Sequence, residues 1–240
     1  MTLLIIAFPS IILAQTGSGL SGLNGYNGFS FNGVDDAALS GTALASGDIN
    51  GDGIDDLVIG APEALGSSND TGEVYVIFGR QNESFGADLF ASSLNGSNGY
   101  EIRGVNDGDY TGRSVTTGDI DGDGQDDLII GASSADVGTV SSAGKTYVIY
   151  AASLSVLDAE DGADGIISLS NFSSTHGYVL NGEGTSDQAG ISVASGDVDG
   201  DGKDDIIVGA FQSIMVIPEM GRPMWYSVNS CLPLMVMQTG

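Results

Sequence analysis

The sequence has very few basic side chains: 6 Lys and Arg face 32 Asp and Glu, and the formal net charge of its 240 residues is -26. The phosphates of nucleic acids and anionic membrane surfaces would repel such a chain, which argues against a nucleic-acid partner. Cys231 is the one cysteine, so no disulfide framework can form. The single histidine, His176, lies in a Ser-rich segment without an evident nucleophile partner, and we expect it on a surface turn.

Long apolar runs are also scarce, and we expect no transmembrane span, which would need about 20 residues. The run from Leu3 to Ala14 has the length of a signal-peptide core, so we expect residues 1–14 to be a secretory signal with Ala14 at the cleavage site. Its start lacks the usual basic residue, since the first one is Arg80, and a start codon placed too far downstream would explain this. The alternative is a buried strand, which Pro9 would interrupt.

Helical periodicity is missing as well, whereas Gly is abundant, with 38 residues. Hydrophobic residues make up 41% of the chain, which is more than acidic disordered chains contain. Gly, Asn and Asp between β-branched and aromatic residues are typical of short strands joined by tight turns. We therefore expect a folded, all-β protein.

The composition changes abruptly after Ala210. Residues 211–240 hold five of the six Met, the only Trp and three of the five Pro, but only two of the 38 Gly and no Asp. In an alternative reading frame, the codons of Met215 to Val228 permit a sequence similar to Asp70 to Gly79. We therefore expect residues 211–240 to be a frameshifted tail without designed structure. The alternative is a genuine hydrophobic tail.

A 16-residue block occurs three times, and the first Asp of successive copies is 71 and then 78 residues apart. The copies are Ser46 to Ala61, Thr117 to Ala132 and Ser195 to Ala210. A segment with Gly and an aromatic residue precedes each block, and a segment typical of a β-strand follows the first two blocks. This pattern predicts four short strands for each repeat unit. Four-stranded units at regular spacing are typical of β-propeller blades. The rungs of the competing parallel β-helix are much shorter.

Each block contains an acidic loop, which we number from its first Asp as position 1. Positions 1, 3, 5 and 9 carry carboxylate or amide oxygens, which suit Ca²⁺. Gly at position 6 permits a sharp reversal, and the carbonyl at position 7 adds an oxygen. The candidate ligands are Asp48, Asn50, Asp52, Ile54 and Asp56 in loop 1, Asp119, Asp121, Asp123, Gln125 and Asp127 in loop 2, and Asp197, Asp199, Asp201, Lys203 and Asp205 in loop 3.

The loop begins like an EF-hand loop but ends differently, because position 12 is Ile or Val where the EF-hand needs Glu. We therefore expect strand-loop-strand calcium turns, with about three Ca²⁺ sites. The alternative is an Asp-Gly turn on a solvated hairpin, but clustered carboxylates repel one another strongly unless a cation binds them. Position 8 is also acidic in each copy, and we expect it to point outward or to support the ligands. The residues at position 8 are Asp55, Asp126 and Asp204.

Residues 25–210 resemble the FG-GAP repeats of integrin alpha-chain N-terminal propellers and their bacterial relatives. The resemblance lies in the loop, in the period and in the strand after the loop, Asp-Leu-Val-Ile-Gly-Ala-Pro. The resemblance implies that positions 1, 3, 5, 7 and 9 bind Ca²⁺. It also implies about two and a half four-stranded blades of a longer propeller, whose last blade the strand within Gly25 to Gly33 would complete. The Phe of the FG element is absent here, where Ser40, Thr111 and Ala189 precede the Gly.

The resemblance implies a secreted or cell-surface calcium-binding module for adhesion or protein interaction, with a protein or glycan ligand and no catalytic activity. One alternative is the non-catalytic propeller part of a longer extracellular hydrolase, and another is a purely structural repeat. Four sequons fit a glycoprotein if the source is eukaryotic. They are Asn69, Asn82, Asn95 and Asn171.

Overall fold

The computed structural model describes residues 2–5, 23–26, 28–33, 38–64, 71–81, 83–211, 213–217 and 224–227. Within these residues the chain is almost entirely β-structure with one α-helix. The elements are β1 (Thr2–Ile5), β2 (Phe29–Asn32), β3 (Ala43–Gly47), β4 (Asp56–Ala61), β5 (Glu73–Ile77), β6 (Asp88–Phe90), β7 (Gly99–Arg103), β8 (Thr111–Gly118), β9 (Asp127–Ala132), β10 (Lys145–Ile149), α1 (Ala151–Asp161), β11 (Ile166–Ser168), β12 (Gly177–Asn181), β13 (Ser192–Gly196), β14 (Asp205–Ala210), β15 (Ser213–Ile217) and β16 (Met224–Ser227).

The strands form blades in which successive strands pair antiparallel. Blade 1 contains β3, β4, β5 and β7, and blade 2 contains β8, β9, β10 and β12. Blade 3 has the same order, from β13 to β16. The first strands lie side by side, with β8 between β3 and β13. The predicted all-β fold made of blades of a partial propeller is confirmed.

The connection between the third and fourth strands of a blade carries an extra strand that pairs with the preceding sheet. In blade 2 this connection contains α1 and β11, and β11 pairs parallel with β7 of blade 1. In blade 1 it contains β6, which pairs parallel with β2. Strand β2 lies within the predicted strand at Gly25 to Gly33. It pairs with the connection of blade 1 in the same way as β7 pairs with the connection of blade 2. It has the place of the fourth strand of a preceding blade.

Both ends of the chain contribute strands. Thr2–Ile5, within the segment interpreted as a signal peptide, forms β1 and pairs antiparallel with β2. Residues 6–22 lie outside the described part, so the signal peptide stays a prediction. In the segment interpreted as a frameshifted tail, β15 and β16 give blade 3 four strands rather than half a blade. Residues 212, 218–223 and 228–240 lie outside the described part, and the frameshift also stays a prediction.

Blades 1 and 2 bury both faces, because each lies between two neighbouring sheets. Side chains alternate along a strand, so Val58 and Val76 join a core shared with blade 2, whereas Ile59 and Tyr75 pack with Phe31 of β2. All five are fully buried. This arrangement explains why β4 and β5 are continuous apolar runs without a polar face. No helix in the described part of the chain is long and apolar enough to cross a membrane.

Close approach of neighbouring blades depends on paired glycines. A Cβ at Gly60 would lie 2.1 Å from the carbonyl oxygen of Gly112, and a Cβ at Gly131 would lie 2.1 Å from that of Gly190. Gly112 and Gly190 have φ values of 86° and 87°, a conformation that favours glycine. The Gly that precedes Ala at the end of a second strand thus meets the glycine at the start of the next blade. These two glycines of the repeat motif therefore permit the close contact between neighbouring blades.

We expect Gly60→Ala to lower the free energy of unfolding by about 1–3 kcal/mol or more, since the added methyl group would overpack against a backbone carbonyl. Gly209→Ala is the matched control, because Gly209 has the same place in β14 but its Cβ would meet chiefly the Ser192 hydroxyl, at 2.2 Å. That hydroxyl can rotate away. Urea unfolding followed by circular dichroism measures both variants, and equal losses would contradict the packing argument.

Candidate metal centre

The three acidic loops join the first and second strands of the three blades. They span residues 48–55, 119–126 and 197–204, and they lie at the same end of each blade because the strand order is the same. Their backbone reverses at Gly51, Gly53 and their counterparts, all with positive φ. In loops 2 and 3 this turn brings three of the predicted carboxylate ligands of each loop together.

The carboxylate at position 1 organises each loop by accepting backbone N–H groups from its far side. Asp48 accepts from the N–H of Asp52 at 3.0 Å and from that of Gly53 at 2.8 Å. Asp197 accepts from the N–H groups of Gly200, Asp201 and Gly202 at 2.7 to 3.1 Å. In loop 2, one oxygen of Asp119 accepts the N–H of Gly124, at position 6, at 3.1 Å. Position 1 is thus fixed at the centre of the turn.

Positions 3 and 5 each accept an N–H from the residue two places ahead, the short-range pattern typical of Asp and Asn in turns. In loop 1 the side chain of Asn50 accepts from the N–H of Asp52 at 2.9 Å, and Asp52 accepts from that of Ile54 at 2.9 Å. The same bonds recur in loops 2 and 3. One oxygen of each side chain is used in these bonds. The position 7 residues Ile54, Gln125 and Lys203 donate their backbone N–H groups here.

Position 9 lies beneath the loop at the start of the second strand. The carboxylate of Asp56 is buried and accepts the N–H groups of Ile49 at 3.0 Å, Asn50 at 3.1 Å and Gly79 at 2.8 Å. Burial raises the pKa of Asp56 to about 6, although these hydrogen bonds oppose the shift. A neighbouring positive charge would restore the charged form.

Loops 2 and 3 repeat the arrangement of the position 9 carboxylate. Asp127 accepts the N–H groups of Ile120 at 3.2 Å and Ala151 at 2.9 Å, and burial raises its pKa to about 7. Asp205, also buried, accepts the N–H groups of Val198 and Asp199 at 2.7 and 3.3 Å. Position 9 therefore binds the loop to its own blade in all three copies.

The carboxylates converge closely enough to share one cation. Oxygens of Asp119, Asp121 and Asp123 lie within 4.8 Å of one another, as do those of Asp197, Asp199 and Asp205. In loop 2 the Oδ1 atom of Asp119 is buried and has no hydrogen-bond partner among the described residues. A buried carboxylate oxygen without a donor is costly unless a cation is near it. The donor set, all oxygen, fits a hard divalent cation such as Ca²⁺.

Position 8 was predicted to point outward or to support the ligands, and in loop 2 it does not point outward. The Asp126 carboxylate accepts the N–H of Asp48 at 2.9 Å, so it reaches the preceding loop rather than solvent. Asp55 in loop 1 is exposed, as expected. Burial raises the pKa of Asp126, with the charges of nearby aspartates adding to the shift. The acid at position 8 of every copy was the signal for this contact, but only the stacking of blades shows what it touches.

His176 differs from the predicted surface position. Its side chain is buried and packs against the ring of Phe172, although the turn around it is exposed. Its Nδ1 atom accepts the N–H of Ser173 at 3.2 Å, with the Ser173 hydroxyl at 3.3 Å, and its Nε2 atom lies 3.6 Å from Glu160. The contact with Glu160 joins the turn before β12 to α1.

Fold and loops together define a protein built of β-propeller blades that each carry an acidic loop. The FG-GAP repeat family model matches residues 40–77, 111–149 and 189–213, so the chain carries FG-GAP repeats in three places, as predicted. Each match begins at the start of a blade and includes its acidic loop.

Known proteins with similar sequences include two integrin chains and an enzyme. The chain is 29% identical over 213 residues to Integrin alpha-5 of Xenopus laevis, covering 84% of this chain and 17% of that protein. It is 34% identical over 99 residues to Integrin alpha-PS2 of Drosophila melanogaster, covering 41% of this chain and 6% of that protein. It is 29% identical over 173 residues to Phosphatidylinositol-glycan-specific phospholipase D of Rattus norvegicus, covering 70% of this chain and 18% of that protein. The chain spans less than a fifth of each relative.

We expect Asp56→Ala to lower the free energy of unfolding by about 3 kcal/mol or more, because three backbone N–H groups lose their acceptor beneath the loop. Asp55→Ala is the matched control. Its side chain is exposed, and we expect a change within about 0.5 kcal/mol. Chemical unfolding at pH 7 with a chelator keeps metal binding out of the comparison, and a small loss for Asp56→Ala would refute the anchoring role.

Proposed function

We propose that this chain is a calcium-stabilised β-propeller module that acts outside the cell in adhesion or protein interaction. The observation that carries the proposal is the convergence of carboxylate oxygens in acidic loops at the same end of consecutive blades. Similarity to integrin alpha chains supports an extracellular, surface or secreted location. The proposed ligands are the residues at positions 1, 3, 5, 7 and 9 of each loop.

Each position has a distinct role in this proposal. Side-chain oxygens at positions 1, 3 and 5 and the carbonyl at position 7 would surround the cation, and position 9 would approach it from below. Loop 1 has Asn50 where loops 2 and 3 have Asp, so its ligand set carries one negative charge fewer. When bound, the cation would neutralise repulsion among the carboxylates. We propose Ca²⁺ rather than Mg²⁺, because Mg²⁺ demands strict octahedral geometry and retains water.

We expect millimolar calcium to raise the melting temperature above that measured in chelator, and magnesium to do so far less, because a ligand that binds only the folded state stabilises it. Asp123→Ala removes a proposed ligand of loop 2 and should reduce the calcium-dependent shift. Asp107→Ala removes an exposed carboxylate in the connection between β7 and β8, and should leave the shift unchanged. Differential scanning calorimetry measures the shifts. The same melting temperature in chelator and calcium would overturn the proposal.

The opposite ends of the blades provide the proposed contact surface. Strands alternate in direction, so the turns before the first strands and after the second strands lie at the end away from the acidic loops. Leu39, Tyr110 and Phe211 are exposed there, at 39%, 38% and 66% of their surface. Leu39 and Tyr110 also have positive φ values of 52° and 56°, which is uncommon for residues other than glycine. Exposed apolar and aromatic side chains are typical of interaction surfaces.

We expect cells to attach to a surface coated with the calcium-loaded protein, and Tyr110→Ala to reduce attachment several-fold if the opposite face makes the contact. Phe90→Ala is the control, because Phe90 is more exposed, at 53%, but lies on β6 in the connection at the acidic-loop end. Counting attached cells after washing gives the readout. Equal attachment by both variants would argue against the opposite face as the contact surface, and no attachment by the native protein would argue against an adhesive role.

A second candidate is the non-catalytic propeller part of a longer extracellular hydrolase. Similarity over 173 residues to a phospholipase D favours it. We propose no catalytic role for the described residues, since the clustered carboxylates are assigned to calcium. The side chain of His176 is buried, and its two ring nitrogens lie against Ser173 and Glu160.

A further inference from the structure

We propose that adjacent acidic loops bind calcium cooperatively, because position 8 of loops 2 and 3 contacts the backbone of position 1 in the preceding loop. This inference rests on the proposed calcium function of the loops and adds a regulation to it. It concerns the pairs formed by loops 1 and 2 and by loops 2 and 3.

Loops 1 and 2 are joined by two reciprocal hydrogen bonds. The Asp126 carboxylate accepts the N–H of Asp48 at 2.9 Å, and the N–H of Asp126 donates to the carbonyl oxygen of Asp48 at 3.0 Å. Asp48 is the position 1 residue whose carboxylate organises loop 1. Asp126 stands between Gln125 and Asp127, both proposed ligands of loop 2. One residue of loop 2 therefore holds the central ligand of loop 1.

Loops 2 and 3 repeat the backbone hydrogen bond of this contact, with the carboxylate at position 8 close to the glycine before position 1. The N–H of Asp204 donates to the carbonyl oxygen of Asp119 at 2.9 Å. The Asp204 carboxylate approaches the backbone so closely that a Cβ at Gly118 would lie 2.6 Å from its Oδ2 atom, as a Cβ at Gly47 would lie 2.3 Å from Oδ2 of Asp126. Glycine before position 1 thus leaves room for the carboxylate of the next blade.

Side chains at position 7 add a second contact between neighbouring loops. Gln125 lies over Gly51, where a Cβ would come within 3.0 Å of its Oε1 atom. Lys203 lies over Gly122, where a Cβ would come within 2.7 Å of its Cε atom. Gly51 and Gly122 occupy position 4, so part of each loop is covered by the loop that follows it.

These contacts couple the two sites through backbone order. Clustered carboxylates repel one another, and a bound cation fixes the loop that holds them. Fixing loop 2 orders Asp126, which in turn restrains Asp48 before loop 1 has bound its own ion. A site ordered in advance loses less conformational entropy on binding, and the effect is reciprocal between the two sites.

Loop 1 supplies the matched control. Its position 8 residue, Asp55, is exposed, and no acidic loop precedes it in the described part of the chain. Asp55→Ala and Asp126→Ala remove the same charge from the same loop position, but only the second removes a contact between loops. Asp126→Asn keeps an oxygen that can accept the N–H of Asp48.

Native mass spectrometry of the full chain, titrated with calcium alone, counts the ions bound to each molecule. We expect multiply loaded molecules to exceed the statistical population, with neighbouring sites strengthening one another about five-fold or more. Asp126→Ala and, independently, Asp204→Ala should move the populations toward statistical binding. Asp55→Ala and Asp126→Asn should retain the excess, and circular dichroism verifies that each variant folds.

Two results overturn the inference and are distinguishable. Statistical loading of the native chain, or an equal effect of Asp55→Ala and Asp126→Ala, refutes the coupling but leaves calcium binding intact. Absence of any bound calcium refutes both the coupling and the proposed function.

Discussion

A buried carboxylate beneath each acidic loop holds the loop to the second strand, and in blades 1 and 2 it also holds the connection after the third strand. Asp56 bonds to the N–H groups of Ile49 and Asn50 within the loop and to that of Gly79 just after β5. Asp127 makes the equivalent link to Ala151, the first residue of α1. The turn that gathers the other carboxylates therefore has its shape set by the blade. Without this anchor, mutual repulsion would spread the loop.

The same anchor connects folding with cation binding. Desolvation raises the pKa of Asp56 to about 6 and that of Asp127 to about 7, which means that the fold makes their charged forms less favourable than they are in water. A divalent cation above each carboxylate would offset that cost. Position 9 would then contribute to the fold through its hydrogen bonds and to the proposed site through its charge.

Blade stacking turns a repeated motif into a continuous structure. Gly60 and Gly131 allow the next blade to approach at Gly112 and Gly190, on one end of the stack. On the other end, Asp126 and Asp204 join the acidic loops of successive blades. Each blade therefore contacts its neighbour at both strand ends and across the apolar core between them. The blades differ in the long connections: blade 1 has β6 there, whereas blade 2 has α1 followed by β11.

The sequence by itself determined the blades and the contents of the candidate sites, because both follow from local pattern. The three copies of the block predicted four strands per unit, and the spacing of oxygens at positions 1, 3, 5, 7 and 9 predicted loops that gather them. Turn geometry is short-range, so it can be inferred from neighbouring residues.

Tertiary structure decided every contact between repeats. Asp126 was expected to point outward or to support the ligands, and it reaches the preceding loop. His176 was expected on a surface turn, but its side chain is buried against Phe172. Asp48 lies 78 residues from Asp126, so no local pattern connects the two. Phe172 is close to His176 in sequence, but whether the ring is buried against it depends on how the turn folds. Such contacts depend on how blades stack and how connections fold back, which the period of a repeat does not specify.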